Sequence, residues 1–260
     1  MIIATRRGVA LLVAGVVASL AACGGNTGQP TTDGAGGRTL TVFAAASLKT
    51  TFTTIADDFE QANPGTTVAL NFDGSANLVQ QIQQGAPADV FASANTANMT
   101  KLTDADLTAA EPVDFASNTL QIAVAPGNPL QVKGLADLAD REIVTVLCAP
   151  QVPCGAASVT VEEAAGIDIA PVSEEQSVTD VLNKVASGEA DAGLVYRTDV
   201  SAASDRVAGV EFPESSAAVN VYPIARVGTS GQPDLADAFI AHVTGPDGQR
   251  VLADAGFARP

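Results

Sequence analysis

The sequence predicts an α/β fold with largely parallel sheets, divided between two lobes. Three observations carry that reading. From Thr39 onward the chain alternates short apolar runs with amphipathic, helix-length stretches, the pattern of strands joined by crossover helices. The strand-like segments are too many for one ordinary sheet. The strand–Ser–helix units near the start also have a counterpart between residues 140 and 196, although the residues themselves show no internal repeat.

The elements follow in order. TLTVFAA (39–45) reads as a strand and SLKTTFTTIADDFEQAN (47–63) as an amphipathic helix. Leu48, Phe52, Ile55 and Phe59 fall at three- and four-residue spacing on one face of it. Pro64 and Gly65 stop that helix, and TTVALNF (66–72) is the next strand. A helix from Ala76 to Gln84 and a short strand at ADVFASA (88–94) come next. TLQIAVAP (119–126) and REIVTVL (141–147) are further strands, helices cover 155–165 and 178–187, and ADAGLVY (190–196) is a strand. VAGVEFP (207–213) and VNVYPIA (219–225) are late strands. Two helices close the chain, Pro233 to Val243 and Pro246 to Ala255. In such sheets ligands sit beyond the carboxyl ends of the strands, at the N-termini of the helices that follow.

Composition narrows the function. The 260 residues hold 13 Lys and Arg against 29 Asp and Glu, a formal charge of −16. Nucleic acid is excluded as a partner, because its binding needs Lys and Arg to replace counterions. A single His rules out a multi-histidine metal site within one chain, and any Ser–His catalytic pair would have to use His242. With 4% aromatic residues and no Trp, the core is built mostly from Ala, Val, Leu and Ile. No nucleophile elbow, Walker loop or dinucleotide fingerprint appears.

Residues 1–22 read as an address. Arg6 and Arg7 precede an apolar run from Val9 to Ala22, too short to span a bilayer and ordered as a secretory signal. It ends Leu20-Ala21-Ala22-Cys23-Gly24, which resembles the bacterial lipobox, where Cys23 becomes the lipidated first residue. The alternative is an ordinary signal with a chance Cys. Gly24 to Arg38 is rich in Gly, Thr and Pro and reads as a flexible tether reaching roughly 20 Å. The expected location is extracytoplasmic, anchored to the cell membrane. Cys148 and Cys154 can oxidise there, closing a small loop worth roughly 2 kcal/mol in the chain-entropy model. Two buried thiols are the alternative.

Two junctions have one form. Ser47, in VFAAASLK, and Ser75, in NFDGSAN, each stand directly after a strand and before a helix. Each Ser either caps its own helix or turns its hydroxyl to a ligand, with free N–H groups and positive potential alongside. The second lobe adds Pro153-Cys154-Gly155 opening one helix and Ser177-Val178-Thr179-Asp180 opening another, spaced like a capping box. Tyr196 ends its strand, with its phenol free to project into a cleft. This is a set of hydroxyls and N–H groups without fixed positive charge, which suits a small, fully deprotonated oxyanion.

VFAAASL (42–48), FDGSANLVQQIQQGAPADVFASA (72–94), VPCG (152–155), SVTDVL (177–182) and GLVY (193–196) resemble the molybdate-binding proteins of ABC transporters, from about residue 39 to 257. The resemblance implies a two-lobed periplasmic-binding-protein fold of type II with crossover strands. On that reading residues 39–119 plus 220–260 form one lobe and 120–219 the other. The implied contacts are the hydroxyls of Ser47, Ser75 and Tyr196 and the main-chain N–H groups of Cys154 and Val178, with a permease and an ATPase as partners. The implied ligand is molybdate, and by geometry tungstate; no cofactor and a monomer are expected. Asp73 departs from the family, which is expected to carry a small or neutral residue two positions before the second Ser. A carboxylate there could accept the proton of hydrogen phosphate; a turn with the side chain in solvent is the plainer reading. Competing functions are a sulfate or phosphate binder, a secreted hydrolase using Ser47 or Ser75 with His242, and an adhesive surface lipoprotein.

Overall fold

The computed structural model describes residues 37–260. The signal, Cys23 and all but the end of the tether lie outside the described residues. Arg38, read as the last tether residue, is instead the first residue of strand β1 (Arg38–Ala45).

Two five-stranded sheets organise the chain. The first contains β1, β2 (Thr66–Asp73), β3 (Val90–Ala92), β4 (Val113–Asn118) and β10 (Asn220–Arg226) in the order β2-β1-β3-β10-β4. The second contains β5 (Leu120–Val124), β6 (Thr145–Cys148), β7 (Ser173–Glu175), β8 (Ala192–Tyr196) and β9 (Ala208–Val210) in the order β7-β6-β8-β5-β9. In each sheet a single strand opposes its neighbours: β10 pairs antiparallel with β3 and β4, and β5 with β8 and β9. Those two are the crossover strands. β5 begins two residues after β4 ends, and β10 brings the chain back. The sheets therefore define two lobes with matching β–α–β–α–β cores.

Helices α1 (Lys49–Ala62) and α2 (Ser75–Gln83) connect the parallel strands of the first lobe; α4 (Pro153–Ala165) and α5 (Val178–Ser187) do so in the second. A 3-10 turn, Ala46–Leu48, precedes α1. Phe52, Ile55 and Phe59 of α1 are buried, as their spacing requires, and Phe52 packs against Phe115 and Phe239 at 5.8 and 6.1 Å between ring centres. Such buried rings contribute about 3–5 kcal/mol each relative to Ala. The second lobe's core is nearly all aliphatic, with Tyr196 and Phe212 its only buried rings among the described residues. Helices α7 (Pro233–Thr244) and α8 (Pro246–Asp254) return to the first lobe.

Four elements escape the sequence pattern, the first of them strand β4 (Val113–Asn118), which precedes the strand expected at 119–126. Helix α3 (Thr96–Thr103) is mostly polar, β7 reads Ser-Glu-Glu, and α6 (Arg197–Ala202) is a short helix directly after β8. The remaining boundaries fall within a few residues of expectation, apart from β6 and β9, whose hydrogen-bonded cores are shorter than the apolar runs around them. Among the described residues no helix is long and apolar enough to cross a membrane, and no group of three His, Cys, Asp or Glu could hold a metal ion.

Candidate functional site

All five residues expected to contact a ligand line one small cavity between the lobes. Ala45, Ala46, Ser47, Gly74, Ser75 and Ala94 come from the first lobe; Val152, Pro153, Cys154, Val178 and Tyr196 come from the second. None of these residues is charged. The space is small, about 190 Å³ even with the solvent at its mouth included. Its dimensions and lining suit an ion.

The hydroxyls come from junctions where the helix cap is left unused. Neither Ser47 nor Ser75 makes a side-chain cap to its own helix; Gly74 occupies the N-cap of α2, and Ser75 is its first residue. Ser47 Oγ lies 3.1 Å from Tyr222 Oη. Ser75 is buried, and its Oγ accepts the Ala94 N–H at 3.0 Å. Ser177 behaves differently. It caps α5, accepting from Asp180 N–H at 3.3 Å and donating its hydroxyl to the Asp180 carboxylate at 2.8 Å.

The main-chain donors follow from helix geometry. Cys154 is the second residue of α4 and Val178 the first of α5, positions whose N–H groups have no intrahelical carbonyl to bond. Among the described residues neither N–H has an acceptor, nor does that of Ser75. The Ser75 amide is a donor that reasoning from side chains overlooked, although its place as first helical residue was the signal. The starts of α2, α4 and α5 thus bring positive helix ends to one point.

Cys148 and Cys154 are joined by a disulfide with Cα atoms 5.7 Å apart. It ties the end of β6 to the first turn of α4. Gly155 beside it is required by packing, because a Cβ there would collide with the carbonyls of Ala149 and Cys148. Gly74 is the corresponding close approach across the cleft, where a Cβ would strike the Gln176 carbonyl of the opposite lobe. Asn98 Nδ2 also reaches the Gln151 carbonyl at 3.4 Å. The lobes are therefore in contact over the cavity.

Tyr196 is wholly buried, and burial, the nearby Tyr222 phenol and the Asp199 carboxylate all hold its pKa well above the usual phenol range. The hydroxyl remains a donor at neutral pH. Asp199, at the start of α6, accepts the Tyr196 N–H at 3.0 Å, and burial pushes its carboxyl up to about 7. Asp73 is not the solvent-facing turn residue of the plainer reading. It ends β2, is half-buried, and accepts from Gly74 N–H (2.7 Å), Asn77 Nδ2 (3.2 Å) and Gln81 Nε2 (3.5 Å). Its carboxylate is held by α2 and does not line the cavity. His242 packs on Phe59 with ring centres 5.6 Å apart and is also absent from the cavity lining.

Two lobes joined by crossover strands, with a donor-lined space between them, are the architecture of a solute-binding protein. The chain belongs to the bacterial extracellular solute-binding protein family, whose model matches residues 40–258. It is 48% identical over 252 residues to the molybdate-binding protein ModA of Mycobacterium tuberculosis, covering 96% of this chain and 97% of that one. Among solved structures, the Azotobacter vinelandii periplasmic molybdate-binding protein superposes with a TM-score of 0.74 at 23% identity, covering 85% of this chain and 99% of that one. The sulfate-binding protein SubI of Mycobacterium tuberculosis superposes with a TM-score of 0.73 at 18% identity, covering 85% and 87%. At these identities the two superpositions speak for the fold alone, and nearly equally.

Proposed function

We propose that this chain captures molybdate, and by the same geometry tungstate, in the interlobe cavity and delivers it to the permease and ATPase of an ABC importer. The observation that carries the reading is that the cavity is ringed by groups able to donate a hydrogen bond, while no charged side chain lines it. Ser47, Ser75 and Tyr196 supply hydroxyls, and Cys154 and Val178 supply N–H groups. Such a site favours an oxyanion without a proton of its own, which describes molybdate, tungstate and sulfate at neutral pH. The 48% identical relative named for molybdate binding supports molybdate among these.

The action is capture by closure, with no catalytic step. The anion bridges Ser47 and Ser75 on one lobe to Cys154, Val178 and Tyr196 on the other. It shifts the population toward the closed form in proportion to its preference for that form. The permease then reads the closed shape. Residues 1–22 are removed, lipidated Cys23 anchors the chain at the extracytoplasmic face, and the domain works as a monomer on its tether. Calorimetric titration with molybdate, tungstate, sulfate and phosphate tests the ligand. Tightest binding of molybdate and tungstate is expected, and sulfate or phosphate binding more tightly than molybdate at pH 7 overturns the reading.

A further inference from the structure

Asn220 is not among the residues lining the cavity, yet its side chain is tied to both halves of the site. It is the first residue of β10, where the chain has just returned from the second lobe, and it is buried. A buried amide is costly unless its hydrogen bonds are made. Asn220 Nδ2 lies 2.8 Å from the Ala94 carbonyl of the first lobe and 2.8 Å from Tyr196 Oη of the second, with the Pro153 carbonyl at 3.5 Å. Because carbonyls only accept, the two carbonyls fix which end of the amide points here.

Polarity then propagates outward. An amide N–H only donates, so its bond to Tyr196 occupies a lone pair of the phenol and leaves the phenol proton to point elsewhere. Tyr196 lines the cavity, and an oxyanion held there is the acceptor for that proton. Ala94 passes the same polarity to the first lobe. Its carbonyl takes the other Asn220 N–H, and its own N–H donates to Ser75 Oγ. We propose that Asn220 is the positioning residue of the site, holding Tyr196 as a donor aimed into the cavity and fastening it to the strand end that orients Ser75. The inference rests on the cavity being the oxyanion site.

A double-mutant cycle on the full chain tests it by calorimetry, with sodium molybdate as the probe. Asn220→Ala and Tyr196→Phe are each expected to weaken binding about three- to tenfold, while the double variant binds no more weakly than Tyr196→Phe by more than about twofold. Asn220→Asp reverses the polarity: its carboxylate accepts a hydrogen bond from the phenol and turns a Tyr196 lone pair to the cavity. Molybdate affinity then falls at least tenfold, and the molybdate-to-phosphate affinity ratio narrows. Unchanged molybdate affinity in Asn220→Ala, or an equal loss with and without the Tyr196 hydroxyl, overturns the proposal. Should Asn220→Ala fail to fold, the uncharged Asn220→Ser takes its place in the cycle and is judged by the same comparison. If the parent chain binds sulfate in preference to molybdate, the functional reading falls, and the cycle run with sulfate still judges Asn220. No heat with any tetrahedral oxyanion overturns both.

Discussion

The two lobes build their halves of the cavity from different chemistry. On the proposed reading the first offers the side chains of Ser47 and Ser75 and the Ser75 N–H; the second offers main-chain N–H groups at Cys154 and Val178 and a single phenol. Three serines stand at helix starts, and they divide accordingly. Ser177 commits its hydroxyl to its own helix through Asp180, while Ser47 and Ser75 leave their helices uncapped by side chains. A capping serine is worth about 1 kcal/mol to a helix. On the lobe where hydroxyls line the cavity, the N-caps of α1 and α2 fall to Leu48 and Gly74, neither of which caps through a side chain. On the other lobe the helix start donates through its backbone, so its serine is free to cap. The hydroxyls of the first lobe can therefore be removed by side-chain substitution, whereas the amides at Cys154 and Val178 can be disturbed only through the backbone.

The largest expected effect breaks the side-chain half. Ser47→Ala combined with Ser75→Ala is expected to reduce molybdate affinity at least tenfold in a chain that still folds, with the ligand-free melting temperature lowered because the buried Ala94 N–H loses its acceptor. Each single substitution costs about 0.5–1.5 kcal/mol, the net worth of a typical hydrogen bond. Calorimetry beside a thermal melt decides it, and an unchanged dissociation constant in the double variant refutes the assignment.

The backbone half predicts the opposite pattern. Replacing Cys148 and Cys154 together by Ser removes a cross-link spanning a sequence separation of 6, which lowers stability by roughly 2 kcal/mol. Because Cys154 offers only its N–H to the cavity, molybdate affinity is expected to stay within about threefold. Chemical denaturation and titration of the same sample separate the two quantities. A large affinity loss at full folding would mean that the disulfide, rather than the helix start, positions the amide.

How much of this was legible follows the same divide. Helix α5 was bounded at both ends because Ser177 caps its start and Gly188 its end, the latter at φ 77°. The paired junctions at Ser47 and Ser75 were visible because strand, Ser and helix are adjacent in sequence. What stayed hidden depends on distant partners or weak patterns. Helix α3 carries only Met99 and Leu102 as large apolar residues among TANMTKLT, too few for a face. Strand β7 is polar at all three positions and lies at the sheet edge. Asn220 and Tyr222 read simply as strand residues, since nothing local announces a bond from Asn220 to a phenol 24 positions away.

Contact between the lobes gives a smaller effect. Gly74→Ala sets a methyl against the Gln176 carbonyl, a backbone atom that cannot rotate aside, so the closed form is penalised and the open form is not. Gly74 has φ −59°, a conformation Ala adopts freely, and the first lobe should fold as before. Molybdate affinity is expected to fall about fivefold, through a lowered closed population, with the ligand-free melt unchanged. Small-angle scattering with and without molybdate checks the cause, and normal closure in the variant would contradict it.

The smallest effect concerns Asp199, which joins the phenol-bearing strand to the second lobe's interior. Its carboxyl is raised from 3.8 to about 7 in the folded chain by burial, against the pull of the Tyr196 N–H. Between these two values the folded state holds more protons than the unfolded one, so stability falls as pH rises through that window and levels off above about 7. Lys49 and Arg206 line the groove that Asp199 also faces. This carboxyl alone is expected to cost about 1 kcal/mol between pH 6 and 7, given about 1.36 kcal/mol per pKa unit. Asn at this position can still accept the Tyr196 N–H but cannot ionise, so Asp199→Asn should flatten the stability profile between pH 6 and 7. Denaturant midpoints across that range decide it, and parallel profiles for the two proteins would remove Asp199 as the cause.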